Sequence, residues 1–335
     1  MKKTLLHDGL IIKRKPPLNY DVIKNAKSFI RLEEYIEPSY LCKLNHAYVS
    51  PYGIVFKNGR VVKESVYSMF TRNKNAYTFY KKILLNKVKR VSGDCLVAHN
   101  AYYDNYYHWT LEALPRIYSI REFTPQLKLL IHEQLKPFID QYLSFFTFKE
   151  IIPIKDEELI LAEKLWLPMH TAPGLQHHEP LIREMAGFIK NSYRGNRPEN
   201  SFPGKIFISR KGATFRKAVN EDEVFELLKG WGFERIAMEK LSVSEQIELF
   251  TNTHICAGIH GAGFSNSMYM TEGKLLLDII HEDHGQDTFY NLASAFNIDY
   301  LRLDCPGVGV QKYSGSDDIK VDVSKLEQML LNQLS

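Results

Sequence analysis

Cysteine is scarce in this chain: Cys42, Cys95, Cys256 and Cys305 are the four in 335 residues, and they lie far apart. There is no C-x-x-C pair and no zinc-ligand spacing, so they read as reduced, mostly buried thiols rather than redox or metal centres. Long apolar runs are missing too. Residues 1–17 are basic without a stretch of signal-peptide length, and nowhere do about 18 apolar residues follow one another. The protein is therefore expected in the cytoplasm. Charge of one sign is also lacking: 43 basic against 39 acidic residues leave +4, too mild to point to nucleic acid as the main partner, while an anionic small ligand would suffice. Asp-x-Asp occurs nowhere, which removes the usual carboxylate pair for a divalent metal on a nucleotide diphosphate. No internal repeat or low-complexity tract is present.

What remains is ordinary globular material, 44% hydrophobic and 24% charged, and the length predicts about two domains. Residues 1–92 open with β structure, for Asn58-Gly59 sits between apolar-rich arms at 54–62, a strong hairpin signal. From Asp94 the pattern predicts α/β alternation: strands at 95–98 and 127–131 and near Ile151, with helices from Tyr106 and at 133–146. These two parts make a first domain, 1–195. The polar, Pro- and Gly-bearing stretch 196–204 reads as a linker. In the second domain, 205–335, apolar strands at 205–209, 233–238, 255–259, 275–280 and 300–303 alternate with helices. Two helix starts carry capping-box pairs, Asn220 with Glu223 and Ser242 with Glu245. Uniformly apolar strands imply a parallel sheet covered on both faces, with ligands bound beyond the strands' carboxyl ends.

Two places carry chemistry. The turn Gly258-Ile259-His260-Gly261-Ala262-Gly263 joins a strand to a helix and leaves amide groups uncovered, as a phosphate site needs, although such turns also serve close helix-to-strand packing. Arg210, Lys211, Arg216 and Lys217 fall in the loop after the first strand of that domain, where they could hold a diphosphate or form a solvated basic loop. The second place is 104–117, where His108 and Glu112 share a helix face. A carboxylate beside an imidazole favours its protonated form, and the pair suits general-base work, although a capped or core histidine is the bland alternative. Tyr102, Tyr103, Tyr106, Tyr107 and Trp109 fit either core packing or stacking on a sugar ring. Pro115 is expected to end or kink this helix. His281-Glu282-Asp283-His284 has a metal-like composition but reads as a surface loop, and no metal is expected. The basic, apolar run 81–90 fits a charge-studded surface helix or one lying on an anionic membrane.

Taken together, Tyr107-His108-Trp109 through Leu114-Pro115-Arg116, Ile208-Ser209-Arg210-Lys211, Asn220 to Glu223, and Gly258 to Gly263 with Asn266 resemble glycosyltransferase family 61 over roughly 94–303. The resemblance implies a GT-B fold, two Rossmann-like domains with parallel sheets facing a cleft, here preceded by the N-terminal β-hairpin region. It implies an inverting, metal-independent transfer from a nucleotide-sugar donor, a UDP-sugar by expectation, to a saccharide or lipid-linked saccharide acceptor in capsule or other surface polysaccharide synthesis. The donor is a substrate, so no cofactor is expected, and peripheral contact with the inner membrane face fits such an acceptor. His108 and Glu112 would be catalytic. Ser209, Arg210, Lys211, His260, Gly261, Ala262, Gly263, Asn266 and Asp278 would bind the donor, although Asp278 stands where the family often has Glu. Tyr107, Trp109 and Arg116 would meet the acceptor. A nucleotide-sugar epimerase or hydrolase, or a non-catalytic saccharide-binding protein, are the alternatives.

Overall fold

The computed structural model describes residues 1–66, 79–171, 175–193, 202–309 and 315–334. Most of the stretch 196–204, expected as a linker, lies outside the described residues. The chain forms two compact units, Met1–Ile11 with Tyr35–Met185, and Ile12–Glu34 with Ala186–Ser335. Residues 12–34 thus join the second unit, where sequence order alone would leave them in the first.

The strands in chain order are β1 (Lys2–His7), β2 (Leu10–Lys13), β3 (Glu33–Ile36), β4 (Ser39–Val49), β5 (Val55–Lys57), β6 (Arg60–Val61), β7 (Val88–Leu96), β8 (Lys128–His132), β9 (Glu150–Ile154) and β10 (Leu159–Pro168). In the first unit the sheet order is β6-β5-β4-β10-β7-β8-β9, with β1 also on β4. The expected hairpin forms as β5 and β6, Asn58 and Gly59 both taking the positive φ that such a turn requires. It does not stand apart from the α/β portion, because β4 pairs antiparallel with β10 and β10 pairs parallel with β7. The sheet is therefore mixed rather than parallel throughout. Residues 159–168 and 179–192, for which no element is predicted, form β10 and the helix Glu179–Ser192. Strand β10 occupies the middle of the sheet, its Ile160, Ala162, Leu165 and Leu167 all in the core.

The second unit adds β11 (Lys205–Ile208), β12 (Glu234–Ile236), β13 (Ile255–Ile259), β14 (Leu275–His281) and β15 (Asp299–Cys305). All are parallel, in the order β12-β11-β13-β14-β15, which is a doubly wound sheet with its switch point between β11 and β13. Leu275, Leu277 and Ile279 of β14 and Leu301 and Leu303 of β15 enter one core with Val224 and Leu228 of helix Glu221–Gly230 and Leu326 and Leu330 of helix Val323–Leu334. The capping box at Ser242 forms as expected on helix Val243–Asn252. The one at Asn220 does not, because the Asn220 side chain is drawn to the backbone N–H and carbonyl of Val321. Leu18 and Asn19 bond to the backbone of Tyr300 and Arg302, so the segment 12–34 covers the free edge of β15.

Candidate active site

In the first unit, residues 106–118 form one helical run that contains a π-helical turn at Trp109–Ala113, closed by the Leu114 N–H on the Trp109 carbonyl. Asn105 caps its start by accepting from the Tyr107 N–H. Pro115, expected to end or kink the helix, does not end it but follows the π turn, a local irregularity whose wider register accommodates its missing donor. His108 donates from Nδ1 to Glu112 Oε2 at 2.8 Å, and Asn100 Nδ2 donates to the same oxygen at 2.6 Å. Nδ1 thereby carries the ring proton, and Nε2 the lone pair that a general base uses. His108 is 18% exposed at its side chain while Glu112 is 1% exposed, so the carboxylate backs the ring from inside. The Tyr102 ring stacks on His108 at 4.8 Å and is 44% exposed.

The other aromatic and cationic neighbours are not where acceptor contact would put them. Trp109 and Tyr107 are buried, the Tyr107 hydroxyl 3.5 Å from His177 Nε2. Arg116 is wholly buried and donates to the carbonyl oxygens of Pro168, Ala98 and His99, with burial lowering it to about 9 and Glu112 opposing that fall. Its charge balances the buried Glu112 rather than meeting a ligand. Of the aromatics around His108, Tyr102 presents the open face.

In the second unit, the loops after β11 and β13 meet at the switch point. Gly261 is buried, and a Cβ there would lie 2.0 Å from Arg210 Nη1, while one on Gly258 or Gly263 would press on Ile208. These glycines thus make room for Arg210 and for β11, the packing reading of the motif, and φ at Gly261 is an extended 177°. The 3-10 helix Ala262–Tyr269 starts directly after, with leading amides that have no carbonyl inside the helix. Arg210 is held by the Arg216 and Phe215 carbonyls at 2.9 Å each. Burial, then the charge of Arg216, lowers it to about 10, still cationic at neutral pH. Glu221 fixes the loop, accepting from the Ser209 hydroxyl at 2.5 Å and the Arg210 N–H at 2.9 Å.

His260 and Asp278 form a second imidazole–carboxylate pair, Nδ1 to Oδ2 at 2.8 Å, and the Tyr300 hydroxyl donates to the same oxygen at 2.8 Å. Burial pulls His260 below its usual range despite Asp278, so the ring is neutral at neutral pH. Although burial pushes Asp278 up, His260 and Tyr300 hold it ionised, below its ordinary value. Neutral His260 has Nε2 as an acceptor, and it donates to a phosphate oxygen only after taking up a proton.

Several expected donor-binding residues turn inward. Asp278 is fully buried, with both of its donors on Oδ2 and no partner on Oδ1 among the described residues, and Asn266 is buried and ties the 3-10 helix to Gln246 at 2.8 Å. Lys211 is exposed and ion-paired with Asp222. Ser209, Arg210, Ala262 and Gly263 are partly exposed at the sheet's carboxyl edge. His281 ends β14, Glu282 and Asp283 pair with Lys24, and the His284 ring lies 4.8 Å from His260. Among the described residues no group of three or more His, Cys, Asp or Glu is arranged to hold a metal ion. Asn100 and Tyr300 had no sequence signal, because each reaches its carboxylate only through folding.

The family described as Glycosyltransferase 61 matches residues 106–277, just over half of the chain. That span runs from the start of the His108 helix into β14. Comparison with curated proteins gives no match.

Proposed function

Because the chain belongs to glycosyltransferase family 61, and so is a glycosyltransferase with a sugar donor and an acceptor, we propose that it is an inverting enzyme that takes its sugar from a nucleotide-sugar. The single observation that carries this reading is the His108–Glu112–Asn100 arrangement, a partly exposed imidazole whose Nδ1 is held by a buried carboxylate that also accepts from Asn100. The acceptor hydroxyl gives its proton to His108 Nε2 as its oxygen bonds to the anomeric carbon. The bond from that carbon to the diphosphate breaks in the same step, which inverts the centre. In the second unit, Arg210 and the leading amides of the 3-10 helix suit the charge of a diphosphate, without a required metal. A UDP-sugar donor, a saccharide acceptor and a place in capsule or surface polysaccharide synthesis follow from the family resemblance.

The test is product analysis by mass spectrometry with and without saccharide acceptors, on wild type and His108→Ala. The variant is expected to bind donor normally and to lose about 10² to 10⁴ in transfer rate, the usual loss for a general base. Donor consumption that is equally fast without any saccharide would instead assign hydrolysis or epimerisation. Donor binding with no turnover over any acceptor would leave a saccharide-binding protein.

A further inference from the structure

The first unit carries an apolar projection that the transfer reaction does not use. Residues 79–84 form a short helical stretch leading into β7. Its inner side is fastened at three points. Phe79 stacks on Phe56 at 4.2 Å, the buried Lys82 donates to the carbonyls of Asp156 and Glu158, and the Tyr80 hydroxyl donates to the Gly59 carbonyl at 2.8 Å. Those anchors hold the opposite side outward. Leu84 is 86% exposed, Leu85 58% and Ile83 36%.

Exposing two adjacent leucines on fixed backbone is costly in water, and a cluster of this kind marks a contact surface. The charge around it identifies the contact. Lys81 and Lys87 are exposed within three positions of Leu84, Lys89 and Arg90 are exposed at the start of β7, Arg60 is exposed beside the hairpin turn that Tyr80 reaches, and no acid occurs in 79–90. The nearest carboxylates, Asp156, Glu157 and Glu158, act on the buried Lys82 instead. An exposed apolar tip flanked by cations matches the interfacial region of a bilayer: apolar groups below the headgroups, lysines among the phosphates. We propose that this tip seats the protein on an anionic lipid surface, Ile83, Leu84 and Leu85 inserting and Lys81 and Lys87 contacting the headgroups. Among the described residues no helix is long and apolar enough to cross a membrane.

The experiment is co-sedimentation of the full chain with phosphatidylcholine vesicles, with and without phosphatidylglycerol. Wild type is expected to bind the anionic vesicles and to be released by salt. Leu84→Asn with Leu85→Asn should lower the partition coefficient more than tenfold. Neutralising Lys81 or Lys87 to Gln should lower it about fivefold each, while Lys229→Gln, in the other unit, leaves it unchanged. All these side chains are exposed, so far-ultraviolet circular dichroism and the melting temperature should stay at wild-type values. Wild-type binding that is absent or no stronger on anionic than on neutral vesicles overturns the proposal, as does undiminished binding by the folded leucine variant. A surface meant for a protein partner gives the first of those results.

Discussion

Replacing Gly261 by alanine tests whether the glycine turn serves Arg210. The added Cβ would stand 2.0 Å from Arg210 Nη1 and 3.0 Å from Cζ, while φ of 177° at this position suits any residue, so the perturbation is steric and falls on one side chain. A guanidinium at the end of a flexible chain swings away rather than unfolding the sheet. It then leaves the Arg216 and Phe215 carbonyls, and because Arg210 is partly exposed, water recovers part of that loss. The expected stability change is at most about 2 kcal/mol. Nucleotide binding should suffer more: one charged donor removed from a diphosphate is worth about 2–3 kcal/mol, or about thirty- to two-hundredfold in Kd. Calorimetric titration with nucleoside diphosphates, beside thermal unfolding, measures both. In an Arg210→Ala background the clash is gone, so adding Gly261→Ala should cost less than about 0.5 kcal/mol more. Gly258→Ala is the contrast. Its Cβ meets Ile208 Cβ at 3.0 Å and Phe264 Cζ at 3.3 Å, core atoms that cannot swing, so it should lose about 1–3 kcal/mol of stability with binding largely kept. Wild-type nucleotide affinity in Gly261→Ala, or full additivity with Arg210→Ala, would refute the reasoning.

Three further outcomes follow from the geometry. Asn100→Leu removes one of the two donors on Glu112 Oε2, and kcat should fall about tenfold with donor KM unchanged and an altered pH profile of kcat, as expected for a positioning residue. Tyr102→Ala opens the exposed face beside His108 and should raise acceptor KM by roughly an order of magnitude while donor affinity holds, read from steady-state kinetics over an acceptor series. Burial lowers His99 to about 4, its Nε2–H held by the Pro51 carbonyl, whereas an unfolded imidazole titrates near 6.5. Below that pH the unfolded chain binds more protons, so stability is intact at neutral pH and falls as pH drops toward 4, by up to about 3 kcal/mol from this residue. Melting temperatures between neutral pH and about pH 5 should show the decline, and His99→Gln should flatten it.

Legibility in the sequence varied with the range of the interaction. The alternation over 205–335 predicted all five strands of the second sheet, β13 to the residue, because each buried parallel strand is a continuous apolar run. Asn58-Gly59 marked its hairpin, and the spacing of His108 and Glu112 announced their contact, since both depend on a few neighbouring residues. Strand β10 escaped notice because its register is set by β4, more than a hundred positions earlier. Trp109, Arg116 and Asn266 were expected at ligands and are buried, for a motif names residue types and not the direction of side chains.

The sequence by itself determined the pairing of His108 with Glu112 on one helix and the position of the cationic and glycine loops at the ends of two strands, because helical spacing and strand periodicity are local properties. Only the tertiary structure decided what each centre is made of. It brought Asn100 to Glu112, Tyr300 and His260 to one oxygen of Asp278, and Arg210 over Gly261. Those contacts join segments up to 51 positions apart, from Arg210 to Gly261. They exist because a buried carboxylate or guanidinium must find partners wherever packing places them.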